Sequence, residues 1–173
     1  MKAIRFLMVA LVVCVIASCS DRAPTAPTTV PAPDASLIGA LLQPTGLLKC
    51  SALPAASVTQ TIGPAGGSIA VGPHVLRIPA GALAQPTAIT ATLVTGRGVN
   101  GITFQPAGLR FQSSAYLTMS YANCNLLGKL LPKRIAYTTN LLGIVEYLLS
   151  LDNLFTKKVT GRVPHFSEYV IAW

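Results

Sequence analysis

Side chains that could do chemistry are scarce in this 173-residue sequence. Beyond residue 34 the only acids are Glu146, Asp152 and Glu168, and the only histidines in the chain are His74 and His165. Glycoside hydrolysis needs a pair of carboxylates at a defined separation, which three scattered acids do not suggest. His74 lies in an apolar stretch and is interpreted as a polar strand residue rather than a metal ligand. The sequence therefore predicts a non-catalytic protein with no cofactor and no metal site.

The first 18 residues have the pattern of a secretory signal peptide. Lys2 and Arg5 precede an apolar run of 12 residues at 6–17. This run is shorter than the roughly 20 residues of a membrane-spanning helix but fits a signal-peptide core. Ile16-Ala17-Ser18-Cys19 resembles the bacterial lipobox. That resemblance implies cleavage before Cys19, diacylglycerol on its sulfur and acylation of its new amine, as with palmitate. An ordinary signal peptide cut elsewhere is the alternative.

A lipidated Cys19 would place the protein in the bacterial cell envelope. Two or more acyl chains hold a protein stably in a membrane. Ser20, where Asp would favour retention in the inner membrane, favours the outer membrane. Residues 19–34 are rich in Pro, Thr and Ala and predict a flexible tether with no core of its own.

The remaining cysteines, Cys50 and Cys124, are expected to form one disulfide. Cys14 leaves with the signal peptide and Cys19 carries lipid, so an exported domain retains two thiols. Two free thiols, or a metal pair, are the alternatives. Two cysteines without neighbouring histidine or carboxylate make a poor metal site, which favours the disulfide.

The charge pattern excludes nucleic acid as a partner. The formal charge is +8, and loss of Lys2 and Arg5 reduces it by two. The remaining cations are dispersed, with the closest groups at residues 133–134 and 157–158 and no basic block interleaved with aromatic residues. Mild attraction to anionic lipid or surface polysaccharide is the expected consequence.

From residue 35 onward the sequence predicts a lead-in and then an all-β domain. Residues 35–56 are an apolar helical or irregular lead-in, with a short helix that ends before Pro44. Residues 57–173 predict an antiparallel β-sandwich from strands about ten residues apart with turn signals between them. The predicted strands are 58–62, 68–71, 74–78, 88–94, 102–105, 109–112, 115–121, 134–139, 144–149, a strand through residues 158–163 ending at Pro164, and 166–173.

The segment at residues 66–83 carries a family resemblance. Gly66-Gly67, a short strand, and Leu76-Arg77-Ile78-Pro79-Ala80-Gly81-Ala82-Leu83 resemble the ZU-five domain of ankyrins, netrin receptors and zonula occludens proteins. Pro106-Ala107-Gly108-Leu109 and the tail at 163–173 match later elements of that domain. The resemblance spans residues 62–173 and is thin between 123 and 157. It implies a β-sandwich that serves as a protein-interaction module.

The triplet His165-Phe166-Ser167 also resembles a site of self-cleavage in some death-domain proteins with this fold. There, the serine hydroxyl attacks the preceding carbonyl and water hydrolyses the resulting ester. By that resemblance Ser167 would be the nucleophile, the Phe166 carbonyl the electrophile and His165 the base. The alternative interpretation is the packed start of a strand.

These observations predict an exported, lipid-anchored, non-catalytic binding or scaffolding module of the cell envelope. Its partners would be the membrane, through the lipid on Cys19, and an envelope protein or polysaccharide. The alternatives are a carbohydrate-binding surface module and a domain that cleaves itself at the triplet.

Overall fold

The computed structural model describes residues 46–126, 131–139 and 142–173. Within these ranges the chain is all-β, and its strands form two antiparallel sheets, as predicted. The signal peptide, the tether and the short helix before Pro44 lie outside the described residues. The strands are β1 (Ser57–Ile62), β2 (Gly67–Val71), β3 (His74–Ile78), β4 (Thr87–Val94), β5 (Gly101–Gln105), β6 (Arg110–Ser120), β7 (Arg134–Thr138), β8 (Ile144–Tyr147), β9 (Ser150–Asn153), β10 (Lys158–His165) and β11 (Glu168–Ala172).

The two sheets enclose one main apolar core. One sheet has the order β1-β4-β5-β11-β7-β8 and the other β2-β3-β6-β10-β9. Alternate residues along each strand face inward, as in β10, where Val159, Gly161 and Val163 are buried. Aromatic rings fill the centre: Phe166 stacks on Phe104 at 5.1 Å between centroids.

The β2–β3 hairpin forms where glycine and proline predicted it. Its two-residue loop begins at Gly72, whose φ of 52° suits the first position of a type II′ turn. Gly66, just before β2, has φ of 75°, and a Cβ there would lie 2.5 Å from the Ile78 carbonyl oxygen. Only glycine fits that close approach, which explains the Gly-Gly start physically.

The closing strand β11 lies centrally in the six-stranded sheet and is buried on both faces. Tyr169 and Ile171 face the main core, whereas Val170 and Ala172 join a second cluster on the outer face with Ala136. Side chains thus alternate between the two faces along this strand. Because the second apolar cluster covers the outer face, both faces of the strand are shielded from solvent.

Several predicted strand boundaries are wrong, and the last strand, predicted from residue 166, begins at Glu168. The predicted strands at 109–112 and 115–121 form one strand, β6, because Ser113 and Ser114 continue the extended backbone. The strand predicted to end at Pro164 continues to His165, because a register shift between Val163 and His165 accommodates the residue that lacks an N–H.

The predicted strand at 144–149 is also wrong, because the chain changes sheets within it. Residues 144–147 form β8 at the edge of one sheet, and β9 begins at Ser150 at the edge of the other. Leu148 turns inward between them and is buried, with its N–H donating to the Ile135 carbonyl at 2.8 Å.

Candidate functional sites

A disulfide joins Cys50 to Cys124, as the cysteine count predicted, with an S–S distance of 2.06 Å. It attaches a strap, defined as residues 46–51, to the loop after β6. The strap lies antiparallel to the end of β11, where Leu47 pairs with Ala172. The Leu48 N–H donates to the Ile171 carbonyl at 3.0 Å. The disulfide therefore fixes to the sandwich the first described segment that follows the predicted tether.

A pair of amides, the buried Asn100 and the half-buried Asn123, reinforces this junction. Asn100 Nδ2 donates to Asn123 Oδ1 at 2.7 Å, and Asn123 Nδ2 donates back to Asn100 Oδ1 at 3.1 Å. Asn123 Nδ2 also donates to the Ser51 carbonyl at 2.6 Å, and Asn100 Nδ2 to the Ser120 carbonyl at 2.8 Å. Because each buried amide group has a partner, this arrangement is structural and offers no free group to a ligand.

The His165-Phe166-Ser167 triplet begins at the last residue of β10 and leads into β11, against the predicted Pro106-Ala107-Gly108 turn. The Gly108 N–H donates to the Phe166 carbonyl oxygen at 3.0 Å, and His165 Nδ1 lies 3.4 Å from the same oxygen. Phe166 is buried, stacked on Phe104 and edge-on to Phe111. Two polar groups therefore converge on the carbonyl that the sequence analysis named as electrophile.

The third member of the triplet has a different environment. Ser167 is half-buried, and its carbonyl accepts from the Phe104 N–H at 3.1 Å. The His165 ring packs edge-on against Tyr137, 5.2 Å between centroids. His165 Nδ1 faces the Phe166 carbonyl oxygen, and no contact between the ring and the Ser167 hydroxyl is seen among the described residues. The assignment of His165 as the base for Ser167 therefore stays a prediction.

His74 faces the main core rather than solvent. Its side chain is completely buried, and its Nδ1 accepts from the Ser120 N–H at 3.1 Å. Since Nδ1 accepts, the proton of the neutral ring is on Nε2, which has no hydrogen-bond partner. Burial lowers the pKa of His74 from 6.5 to about 4, so the ring is neutral at pH 7. A buried neutral ring with one bonded nitrogen indicates a packing role.

A second polar cluster joins Tyr121, the residue after β6, to the half-buried Asp152 on β9. The Tyr121 hydroxyl donates to Asp152 Oδ1 at 2.6 Å, and the Lys133 N–H donates to Asp152 Oδ2 at 2.8 Å. Burial, and then the Asp152 carboxylate, raises the pKa of the Tyr121 hydroxyl. Lys133 is buried as well, and its Nζ donates to the Leu131 carbonyl at 2.6 Å. Asp152 is thus committed to fixing the start of β7 and is not a free acid.

An open groove of about 640 Å³ follows the outer face of the β2–β3 hairpin. Arg77 is an exposed cation on its wall, and β2 beside it pairs within the described residues with β3 alone. The sequence analysis missed this groove, because it depends on which strand lies at the sheet edge. The lining residues are Ala65, Gly67, Ser68, Val75, Arg77, Ile78, Pro79 and Ala80.

Exposed large apolar side chains concentrate at the opposite edge of the same sheet. Leu149 is 72% exposed, Leu151 79% and Leu154 60%, and Phe155 is fully exposed. A hollow of about 190 Å³ separates Leu149 and Leu151 from Tyr116 on β6. The sequence analysis treated this region as ordinary strands.

Three further features concern metal binding, membrane-spanning helices and the predicted lipidation site. The described ranges contain no group of three or more His, Cys, Asp or Glu side chains that could hold a metal ion. No helix within them is both long enough and apolar enough to span a bilayer. Cys19, the predicted lipidation site, lies outside the described residues and stays a prediction.

No model of a known protein family matches the chain, and no curated protein matches its sequence. The resemblance to ZU-five domains therefore stays a prediction.

Proposed function

We propose that this protein is an exported, lipid-anchored, non-catalytic module of the bacterial cell envelope that binds a protein partner. Cys19 carries the anchor in this proposal, with the outer membrane favoured. The observation that supports partner binding best is the open groove beside the unpaired edge of β2.

An unpaired edge strand can accept a further strand from another protein. In the β2–β3 hairpin, Val71 and His74 flank the two-residue loop and form a hydrogen-bonded pair. Alternation along the ladder then turns the backbone N–H and C=O groups of Ser68 and Ala70 away from β3. Both residues are exposed. An extended peptide that pairs with these groups would gain main-chain hydrogen bonds, the usual basis of β-strand addition.

The groove also offers one charged contact. The Arg77 guanidinium is exposed, and no ion pair involving Arg77 occurs within the part of the chain that the structure describes. A carboxylate on the partner would form a bidentate, charge-assisted pair with it. An extended segment that carries an aspartate or glutamate fits this groove best.

The alternative of carbohydrate binding has less support. Stacking on sugars needs neighbouring exposed aromatic rings. On the outer face of the five-stranded sheet, the neighbours of Tyr116 are two arginines, Arg77 and Arg162, rather than aromatic residues. Tyr121 and Tyr169 are buried, and Tyr147 lies beneath the Arg134 guanidinium at 4.8 Å from the ring centroid. The described residues thus present no row of exposed rings.

Substitution of Ala70 by proline is expected to reduce partner capture at least about tenfold. The variant loses the hydrogen bond that the Ala70 N–H would donate to the partner strand, and the proline ring hinders the approach of that strand. The Ala70 N–H points to solvent, so proline there removes a donor without disturbing the β2–β3 ladder. Affinity purification of the crosslinked chain from its own envelope, with quantitative mass spectrometry, measures the effect.

Ala70→Thr is the matched control, since threonine retains the N–H and suits a strand. It should capture the partner as well as the parent chain does. Equal capture by the proline variant, with unchanged thermal stability, would remove β2 from the proposal.

Self-cleavage at the Phe166–Ser167 bond is a second candidate function, supported by the two groups that converge on the Phe166 oxygen. In this reaction Ser167 Oγ bonds to the Phe166 carbonyl carbon and the C–N bond breaks. The hydroxyl proton is transferred to the released amine. The Gly108 N–H, at 3.0 Å, would stabilise negative charge on the carbonyl oxygen during the attack. Water then hydrolyses the ester.

If this reaction occurs, the purified chain kept at neutral pH will release the seven-residue peptide that begins at Ser167. Hydroxylamine should accelerate release by trapping the ester, and Ser167→Ala should abolish it, because alanine has no nucleophile. Intact-mass spectrometry measures both. A parent chain that stays intact in hydroxylamine, as the alanine variant does, excludes self-cleavage.

A further inference from the structure

The most exposed apolar side chains of the described residues occupy one end of the sandwich. Every large apolar side chain there that is more than half exposed lies between Val145 and Phe155. β8 and β9, the two strands of this stretch, are edge strands of the two sheets. Exposed apolar side chains grouped in this way on an otherwise well-packed domain mark an interaction surface.

The tip of the patch is held in place by the fold. Between β9 and β10 the Thr156 N–H donates to Asn153 Oδ1 at 3.1 Å, which closes the turn that carries Leu154 and Phe155. The Tyr121 N–H donates to the Lys157 carbonyl at 2.9 Å and fixes the far side of the turn. Phe155 is therefore presented outward by a formed turn, and its exposure requires no loop rearrangement.

Cations flank this apolar tip along the chain, and the exposed acid of the stretch, Glu146, lies on β8 in the other sheet. Lys157 and Lys158 follow directly, and Arg162 extends from β10 beside Leu149 and Leu151. The one acid on β9, Asp152, is bonded to the Tyr121 hydroxyl and the Lys133 N–H on the other side of the strand. The combination of exposed leucine and phenylalanine with flanking lysines is typical of surfaces that lie in the interface of an anionic bilayer.

We propose that the β9–β10 hairpin docks on an anionic lipid bilayer, with Leu154 and Phe155 inserted among the acyl chains and Lys157, Lys158 and Arg162 against the headgroups. A protein partner or a second copy of the chain could cover the apolar side chains with apolar side chains of its own. Neither accounts for the three flanking cations, which anionic headgroups would neutralise. The inference rests on the proposed anchor for proximity only: the 26 residues between Cys19 and Gly46 reach at most about 90 Å.

The test places a reporter at the tip. The full chain, purified from the envelope with any lipid it carries, is mixed with vesicles of phosphatidylcholine alone or with added phosphatidylglycerol. Phe155→Trp supplies the fluorophore and doxyl-labelled lipid the quencher. We expect a blue shift and strong quenching of this tryptophan with phosphatidylglycerol and much less without it. Val58→Trp on β1, at the far edge of the six-stranded sheet from β8, is the position control and should stay unquenched after subtraction of the Trp173 signal.

Charge reversal tests the flanking cations. Lys157→Glu/Lys158→Glu in the Phe155→Trp chain should lower lipid quenching of the introduced tryptophan on anionic vesicles toward its level on phosphatidylcholine alone, since each cation near such a surface contributes appreciably. Lys49→Glu, a charge reversal on the strap, should change it little. Equal quenching at positions 58 and 155 would overturn the proposal. So would absence of quenching, or a Phe155-dependent dimer in sedimentation that leaves the tryptophan away from lipid.

The same experiment separates this inference from the proposed anchor. If the anchor is absent but docking is correct, the chain does not stay on neutral vesicles. It binds anionic vesicles, and there the fluorescence of the tryptophan at position 155 is quenched. If the anchor is present but docking is wrong, the chain stays on both kinds of vesicle and the tryptophan introduced at position 155 remains unquenched.

Discussion

Replacement of both Cys50 and Cys124 by serine is expected to lower the free energy of unfolding by about 4 kcal/mol on the chain-entropy account of cross-links. The bond joins residues separated by 74 positions, so its loss gives the unfolded chain a large gain in freedom. Urea denaturation at neutral pH measures the loss. An effect of this size is a large fraction of the roughly 5–15 kcal/mol that stabilises a typical domain.

Reduction of the parent chain supplies the first control. The parent in excess dithiothreitol should unfold at the same urea concentration as the double variant, since both lack the bond. Ser51→Ala, which removes a nearby hydroxyl but keeps the disulfide, should shift the midpoint far less. Coincident transitions for oxidised parent and double variant would show that the strap does not depend on this bond.

The stability of the parent chain is expected to fall by up to about 3 kcal/mol as the pH drops from 6.5 to 4, on account of His74 alone. Burial lowers the pKa of this ring to about 4 in the folded state, whereas in the unfolded state it is near 6.5. Between these values the unfolded chain binds a proton that the folded chain does not. The stabilisation is therefore complete above pH 6.5, falls progressively toward pH 4, and falls no further below it.

His74→Asn isolates this contribution. Asparagine Oδ1 can take the place of Nδ1 as acceptor for the Ser120 N–H, and the side chain does not titrate in this range. Urea unfolding of the variant should show a shallower dependence on pH than the parent between 6.5 and 4. Equal slopes for parent and His74→Asn would show that His74 is not responsible.

Much of the fold could be predicted because its turns carry glycine and proline. The β2–β3 hairpin is an example: Gly72-Pro73 marks the reversal, and alternation assigns Leu76 and Ile78 to the core. The sheet change between β8 and β9 could not be predicted, because residues 144–149 are a nearly continuous apolar run without a turn residue. A run of that kind fits one long strand as well as two short ones.

The candidate sites depend on contacts that local patterns do not reveal. The disulfide followed from counting cysteines once the predicted signal peptide was removed. The groove beside β2 required the strand order, which no residue spacing encodes. Phe155 and Lys133 reverse the usual preferences, since the aromatic ring is exposed and the lysine is buried. The place of Phe155 is fixed by the turn that Asn153 closes, and that of Lys133 by the bond of its N–H to the distant Asp152.

Affinity purification after crosslinking of the parent chain in its own envelope tests the central claim, that this module binds a protein, most directly. A photoreactive residue in place of Ser68, beside the groove, limits capture to molecules that contact the β2 edge. The proposed function predicts a discrete protein adduct that is lost with Ala70→Pro. Recovery of glycan alone, or of no adduct from position 68, would contradict it.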